Sequence, residues 1–437
     1  MVKVAFLTLG CKVNSYETDK MKKSFEDAGY IITAFDKTAD VYIVNTCTVT
    51  NIADRKSRQM LHKARKLNPD ALVVAAGCYV DSAIKKGETD KSIDIFITNK
   101  NKEHITEIVN NAIKKRVQDI KEEVLPQKEH TRAYIKVQDG CCQYCTYCII
   151  PYVRGGLSSR SEADVVAEAM ELALKGYKEI VITGIHLSSY GTSINKADSF
   201  IQLEGKPLLS LLEALDNING IERIRLGSLE PRIITRDFVK ELSSIHKLCP
   251  HFHLSLQSGS STVLKRMNRH YSPQEYLNSL SILRKYFDNP AITTDIIVGF
   301  PQETEEEFEE TMEFVHKARF AKIHVFKYSR RYGTIADQMH GQIQETVKSD
   351  RSSRLSALEK ELGEIYQQQV TGKYERVLFE EITEIDNKKY ITGYNERYIR
   401  IAVPSYSGED LKICNTIQEV CISGRIPGGI LFGYIGQ

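Results

Sequence analysis

The sequence predicts an α/β protein in three parts: a parallel-sheet α/β domain, a partial (β/α)6 TIM-like barrel and a small all-β barrel. Three observations predict it. Strand and helix signals alternate over residues 1–116, and they alternate again from Ala133 to Phe326. From Val370 onward the helical period is lost, and short β runs are broken by Gly, Pro and Asn.

At 437 residues the chain is too long for one ordinary core. Its 42% hydrophobic and 27% charged residues are those of a globular protein. No apolar run approaches the roughly 18 residues that span a bilayer. The first strand starts at Val2 with no basic leader or cleavage site before it, so the expectation is a cytoplasmic protein. A formal charge of +2 means that any nucleic-acid footprint is local.

In the first part, Val2–Leu9, Val41–Asn45, Leu72–Gly77 and Ile93–Thr98 read as strands. Glu17–Ala28, Asp54–Leu67 and Lys102–Arg116 read as helices. Residues 117–132 are polar, contain Pro126 and read as a linker. The second part, 133–369, has strands at Tyr134–Gln138, Glu179–Thr183, Glu222–Leu226, His251–Leu256, Ile292–Val298 and Lys322–Phe326. Helices include Glu162–Lys175, Thr235–Ile245, Pro273–Tyr286 and Glu305–Lys317, and a long one over about Ser349–Gln369 leads out. In such barrels the active groups gather at the C-terminal ends of the strands. The third part, 370–437, has β runs at Val377–Glu381, Tyr390–Tyr394, Tyr398–Val403, Gln418–Ser423 and Ile430–Tyr434.

Ten cysteines in a large chain without an export signal point to metal rather than disulfides. Cys141, Cys145 and Cys148 form a C-x3-C-x2-C loop just after the first barrel strand. Thiolates this close can wrap an iron–sulfur cluster, and three ligands leave one iron open. A zinc site is the alternative, although zinc prefers paired C-x-x-C and a fourth ligand nearby. Cys142 does not fit the spacing and is not expected to be a ligand.

This loop, with an aromatic residue before its last cysteine, resembles the radical S-adenosylmethionine (SAM) superfamily. The flanks Gln138-Asp139-Gly140 and Ile149-Ile150-Pro151-Tyr152-Val153-Arg154-Gly155 resemble its methylthiotransferase branch. The resemblance implies a 4Fe–4S cluster whose open iron takes SAM and whose electron cleaves it. It also implies SAM contacts at Gly184 and His186, at Ser228 and Glu230, and at Gln257 and Ser258. Each of these alone could be turn chemistry, but polar or glycine signals recur at five strand ends.

Cys11, Cys47 and Cys78 each follow or close a strand of the first part. The carboxyl ends of parallel strands share one rim, so the three thiols can converge without a local motif. Three buried cysteines acting as small hydrophobes are the alternative. The segments Thr8–Thr18, Asn45–Val49 and Ala76–Cys78 resemble the N-terminal domain of methylthiotransferases. There the three cysteines hold an auxiliary 4Fe–4S cluster, which carries the sulfur to be transferred.

The helix after Cys47 holds Arg55, Lys56, Arg58, Lys63, Arg65 and Lys66 against one acid, Asp54. Such a face can track phosphates, or it can simply be solvated. The tail resembles the TRAM domain, an OB-like RNA-binding barrel. Its aromatics Phe379, Tyr390, Tyr394, Tyr398, Tyr406 and Phe432 can stack on bases or fill a core. With eight Lys/Arg and nine Asp/Glu, however, it is slightly acidic.

Among the branches, the segment around Cys11 most resembles the one acting on N6-threonylcarbamoyladenosine at position 37 of tRNA. That implies methylthiolation of C2 using two SAM molecules, with the anticodon stem-loop as partner. It also implies a monomer that takes electrons from a donor such as flavodoxin or ferredoxin. The rivals are the isopentenyl-adenosine tRNA branch, a branch modifying a ribosomal-protein aspartate, and a zinc-bearing RNA-binding protein with no activity.

Overall fold

Val41–Thr46 and Leu72–Gly77 are buried at every position, as strands are when helices cover both faces of a parallel sheet. In the computed structural model, which describes residues 2–114, 131–192, 203, 205–405 and 412–436, they lie mid-sheet. The expected linker lies outside the described residues except at 131 and 132, and so does Tyr406. None of the described helices is long and apolar enough to cross a membrane.

The chain forms two compact units. The first contains the described residues up to 114 together with 140–156 and 329–338. Its strands β1 (Lys3–Thr8), β2 (Ile31–Thr33), β3 (Val41–Thr46), β4 (Leu72–Gly77) and β5 (Ile95–Ile97) form a parallel sheet in the order β2-β1-β3-β4-β5. Alternate side chains enter two separate cores. Tyr42, Val44, Val73 and Ala75 pack with Leu61 and Ala64 of α2 (Asn51–Leu67) and Val80 and Ala83 of α3 (Cys78–Lys86). Ile43, Val74 and Ala76 pack with Met21 and Phe25 of α1 (Lys12–Asp27) and Ile105 and Val109 of α4 (Ile105–Lys114). Helix α1 begins five residues earlier than its apolar stripe suggests, because the extended backbone of Cys11 starts it directly after β1.

The second unit contains six parallel strands in chain order: β6 (Arg132–Asp139), β8 (Glu179–Gly184), β9 (Arg223–Leu226), β10 (His251–His253), β11 (Ala291–Val298) and β12 (Lys322–Lys327). Two isolated parallel bridges, Ile224 to Leu248 and Leu229 to Leu254, join β9 to the β10 segment, and β7 (Ser158–Ser159) lines the other edge. Helices α6 (Glu162–Leu174), α7 (Lys206–Asp216), α8 (Arg236–Leu242), α9 (Ser261–Arg266), α10 (Pro273–Tyr286), α11 (Glu305–Ala318) and α13 (Glu345–Gln368) share one core with Ile135, Ile182, Leu226, Phe252, Ile296 and Ile323. The residues between those positions, including Glu179, Arg225, His253, Asp295 and His324, therefore face the opposite, inner side. The strand expected at His251–Leu256 is continuous only to His253. Beyond it the register slips, with residues 254–257 running against 294–296 of β11, and Gln257, in the left-handed region at φ 74°, regains only a single bridge to Ile296.

The tail closes into a barrel of β13 (Tyr374–Ile385), β14 (Lys388–Asn395), β15 (Arg400–Pro404), β17 (Ile430–Ile435) and β16 (Ile417–Ile426), in that order. Its core holds Val377, Phe379, Ile391, Ile401, Val420 and Leu431. The barrel meets the N-terminal ends of the parallel strands through a polar layer. Arg225 donates to Glu179 at 2.8 Å and to the Glu396 carbonyl at 2.8 Å, and Arg223 reaches the carbonyls of Tyr394 and Arg376. Burial opposes ionisation of Glu179, but Arg225, Arg132 and Arg223 outweigh it and hold the carboxyl below its ordinary range. Tyr394 and Tyr398 stack 4.7 Å apart, and Arg132 lies over both rings. Those two aromatics are engaged within the fold, whereas Tyr374 and Tyr434 are exposed.

Candidate active site and metal centres

In the first unit, β1, β3 and β4 are adjacent, so the chain leaving each of them reaches the same rim. Cys11, Cys47 and Cys78 stand there, Cys11 exposed and the other two buried. Burial pushes the Cys47 thiol up to about 11, despite a hydrogen bond from the Val49 backbone, and the nearby Cys78 and Cys11 add to the rise. The three thiols are thus close enough to feel one another. Gly10 makes the approach possible: at φ 107°, a Cβ there would come within 2.8 Å of Cys47 Sγ.

Asn14 braces this rim. Its amide donates to the carbonyls of Leu9 at 2.6 Å and Thr46 at 3.0 Å, while Asn45 donates to its backbone carbonyl. Asn99 Nδ2 lies 3.5 Å from Cys78 Sγ.

Cys141, Cys145 and Cys148 belong to the same unit, on the loop 140–156. The loop closes on itself through Cys141 N to Gly155 O at 3.1 Å and Cys148 N to Cys145 O at 2.9 Å. Gly140 is obligatory, since a Cβ there would lie 1.8 Å from the Gly156 carbonyl. Arg154, at the end of α5 (Ile150–Arg154), is buried and donates to Glu17 at 3.1 Å and to Asn14 Oδ1 at 3.0 Å. Lys102 pairs with the same Glu17 at 2.5 Å. The two sets of cysteines are therefore tied through one buried ion network. The sequence shows Glu17 and Arg154 as parts of two separate motifs, and nothing in either motif says that they pair.

In the second unit, the polar strand ends form a linked set. Gln138 Oε1 accepts from the His186 backbone at 2.7 Å, and a Cβ on Gly184 would press on Gln138 at 3.0 Å. His186 Nε2 is 2.8 Å from Glu230 Oε2, and Arg232 contacts the other carboxylate oxygen. Burial opposes the charge on Glu230, but the hydrogen bonds from His186 and Arg232 hold its carboxyl at about 2. Ser228 is exposed at the end of β9. Ser258 is fully buried and accepts from Ser260 N at 3.2 Å, which makes it a turn brace in this fold. Gln257 is held in its left-handed conformation by backbone bonds with Asp295 and Ile297.

On α2, Arg55, Lys56, Arg58, Lys63 and Lys66 are exposed, and all but Lys56 line one shallow basic surface with Gln59 and His62. Arg65 does not join them: it donates to the carbonyls of Pro69 and Ala71 at 2.8 Å and pairs with Asp94 at 2.6 Å.

A match to the Radical SAM superfamily spans residues 135–315, and one to the uncharacterized protein family UPF0004 spans residues 3–98. The chain is 39% identical over 416 residues to the threonylcarbamoyladenosine tRNA methylthiotransferase MtaB of Bacillus subtilis, covering 92% of this chain and 90% of that protein. It belongs to the MtaB-type radical SAM methylthiotransferases. A tRNA-2-methylthio-N(6)-dimethylallyladenosine synthase of Thermoanaerobacter is 36% identical over 402 residues, 87% of this chain and 83% of that one. The fold resembles that of the radical SAM methyltransferase TsrM from Kitasatospora setae, with a TM-score of 0.55 at 15% identity, covering 77% of each chain.

Membership of this family makes S-adenosylmethionine and 4Fe–4S clusters the cofactors. The donor set fits them: two sets of three thiols, one beside a glycine that leaves room at Cys47 Sγ and the other on a loop closed around its own backbone.

Proposed function

We propose that this enzyme transfers a methylthio group to C2 of N6-threonylcarbamoyladenosine at position 37 of tRNA. The observation that carries the reading is the 39% identity to MtaB over nearly the whole length of both proteins, ahead of 36% to the dimethylallyladenosine synthase. Cys141, Cys145 and Cys148 hold the cluster that works with SAM, and Cys11, Cys47 and Cys78 hold the auxiliary cluster. When bound, these groups supply one-electron cleavage of SAM and the sulfur. The chain's own part is binding, orientation and exclusion of water.

In this reading Gln138 fixes the backbone at His186, and Glu230 fixes the His186 ring, so that Gly184, His186, Ser228, Glu230 and Gln257 meet SAM at the strand ends. The exposed face of α2 follows the phosphates of the anticodon stem-loop, and an unpaired loop base is reachable for ring chemistry. The small barrel serves as a TRAM domain. The parts 1–116, 133–369 and 370–437 act together as a cytoplasmic monomer, reduced by a flavodoxin- or ferredoxin-like donor.

The test is mass spectrometry of tRNA nucleosides after incubation of reconstituted enzyme with each modified tRNA. Methylthiolation of threonylcarbamoyladenosine tRNA alone is expected. A site built for the carboxylate and the urea-like group discriminates by orders of magnitude against an adenine lacking them. Equal turnover of isopentenyl-adenosine tRNA would move the enzyme to the sister branch.

A further inference from the structure

We propose that His253, Asp295 and His324 form a binding site for one divalent transition-metal ion of the zinc class, on the inner face of the parallel strands. The three residues come from the adjacent strands β10, β11 and β12. Their neighbours Phe252, Leu254, Ile296 and Ile323 pack into the helix-covered core, so the two-residue period turns all three to the other side. Asp295 and His324 are directly paired across β11 and β12, while His253 pairs with Thr293, two residues before Asp295.

One donor atom from each residue lies within 4.8 Å of the others. His253 Nε2 is 3.2 Å from Asp295 Oδ2, and the two imidazole rings lie 5.8 Å apart between centroids. Donors bound tetrahedrally to one ion at about 2.1 Å sit about 3.4 Å from each other, so the His253–Asp295 edge already has close to a coordination spacing and His324 needs only a small rotation.

The other ring nitrogen of His253 supports the assignment. Nδ1 is 2.9 Å from the Thr293 hydroxyl. A histidine that binds metal commonly donates its second N–H to an oxygen, which fixes the tautomer and turns the free lone pair to the ion. In the tautomer that donates Nδ1–H to Thr293, the Nε2 lone pair faces the Asp295 carboxylate, where a cation would sit between the two.

Two imidazoles and a carboxylate select zinc, iron(II) or cobalt over magnesium or calcium, which take oxygen sets. Three protein ligands leave a position open for water or an oxygen ligand on the inner face. No thiol belongs to this set, so it is chemically separate from the six cysteines read as cluster ligands.

Zinc titration of the full-length enzyme, reconstituted with its clusters, tests the site by calorimetry. One saturable zinc per chain is expected. His324→Gln and Asp295→Asn should each weaken it about 100-fold or more. Thr293→Val keeps all three donors and should weaken it about 10- to 100-fold with an unchanged melting temperature, which guards against a misfolded ligand variant. In the difference spectrum against cobalt-free enzyme, cobalt in place of zinc should add visible d–d bands and no new thiolate charge-transfer absorption. The absence of a saturable site, equal zinc binding by wild type and His324→Gln, or a new thiolate band with cobalt would each overturn the assignment.

Discussion

Arg331 Nη2 lies 2.8 Å from Asp54 Oδ2 and 2.5 Å from the Thr48 hydroxyl, while Nη1 reaches Asn51 Oδ1 at 2.7 Å. Asp54 is the lone acid of an otherwise basic helix, and this buried pair is the reason it is there. It fixes the chain leaving Cys47 to the 329–338 segment, which includes α12 (Ile335–Gln338). Removing one member of a buried pair leaves an uncompensated charge and costs about 3–5 kcal/mol. Arg331→Met and Asp54→Asn should each destabilise the protein by about that much in urea unfolding. The double variant should cost clearly less than the sum of the two. Simple additivity would show that the pair contributes no coupling.

Gly10 gives a test of the rim that spares every thiol. A Cβ at its position meets both Cβ and Sγ of Cys47 at 2.8 Å, and φ 107° strains any side chain. Gly10→Ala should therefore lose the cluster read onto Cys11, Cys47 and Cys78 while keeping the other. Iron in the anaerobically reconstituted variant should fall from about eight to about four per chain. Cleavage of SAM to 5′-deoxyadenosine should persist, without methylthiolated product. Full iron content in Gly10→Ala would mean that the rim yields easily and that the glycine is only a turn.

Local signals make much of this fold legible in the sequence. The apolar runs Val41–Val44 and Leu72–Ala76 fit central parallel strands, and the cysteine spacing 141–145–148 is itself the motif. What stays hidden depends on pairs far apart in the chain. Arg331 and Asp54, Arg154 and Glu17, and His253 with His324 carry no local pattern, because only the fold makes them neighbours. The start of α1 is hidden for a different reason: Cys11 caps the helix only three residues after Thr8 ends β1, before any apolar stripe shows. Arg65 matches its basic neighbours in sequence, yet its guanidinium is turned onto carbonyls and Asp94.

That difference separates two kinds of basic residue on one helix. Arg58, Lys63 and Lys66 are exposed on the shallow basic surface of α2. Reversing all three to Glu should weaken tRNA binding and lower its dependence on salt, by about one unit of slope for each phosphate no longer neutralised. SAM cleavage in the absence of tRNA should be unaffected. Arg65→Ala should instead lower the melting temperature and leave the salt slope unchanged. Unaltered tRNA affinity in the triple variant across a salt series would return the face to plain solvation.

Glu230 makes the last prediction, which concerns acid stability. Its carboxyl is held at about 2 against an ordinary 4.5, and the group is nearly fully buried between His186 and Arg232. A depressed carboxyl stabilises the fold above the unfolded pKa, and that stability is lost as pH falls towards the folded one. The window is therefore about pH 4.5 down to about 2. A difference of about 2.5 units corresponds to about 3 kcal/mol, fully present at pH 6 and roughly halved near pH 3. Glu230→Gln keeps the shape and removes the charge, so its deficit against wild type in urea unfolding should follow that curve. The cluster-free protein is the right sample, because acid would otherwise also report loss of iron. A deficit that stays constant from pH 6 to pH 3 would mean that Glu230 is not ionised against its partners, and the strand-end network would then rest on neutral hydrogen bonds.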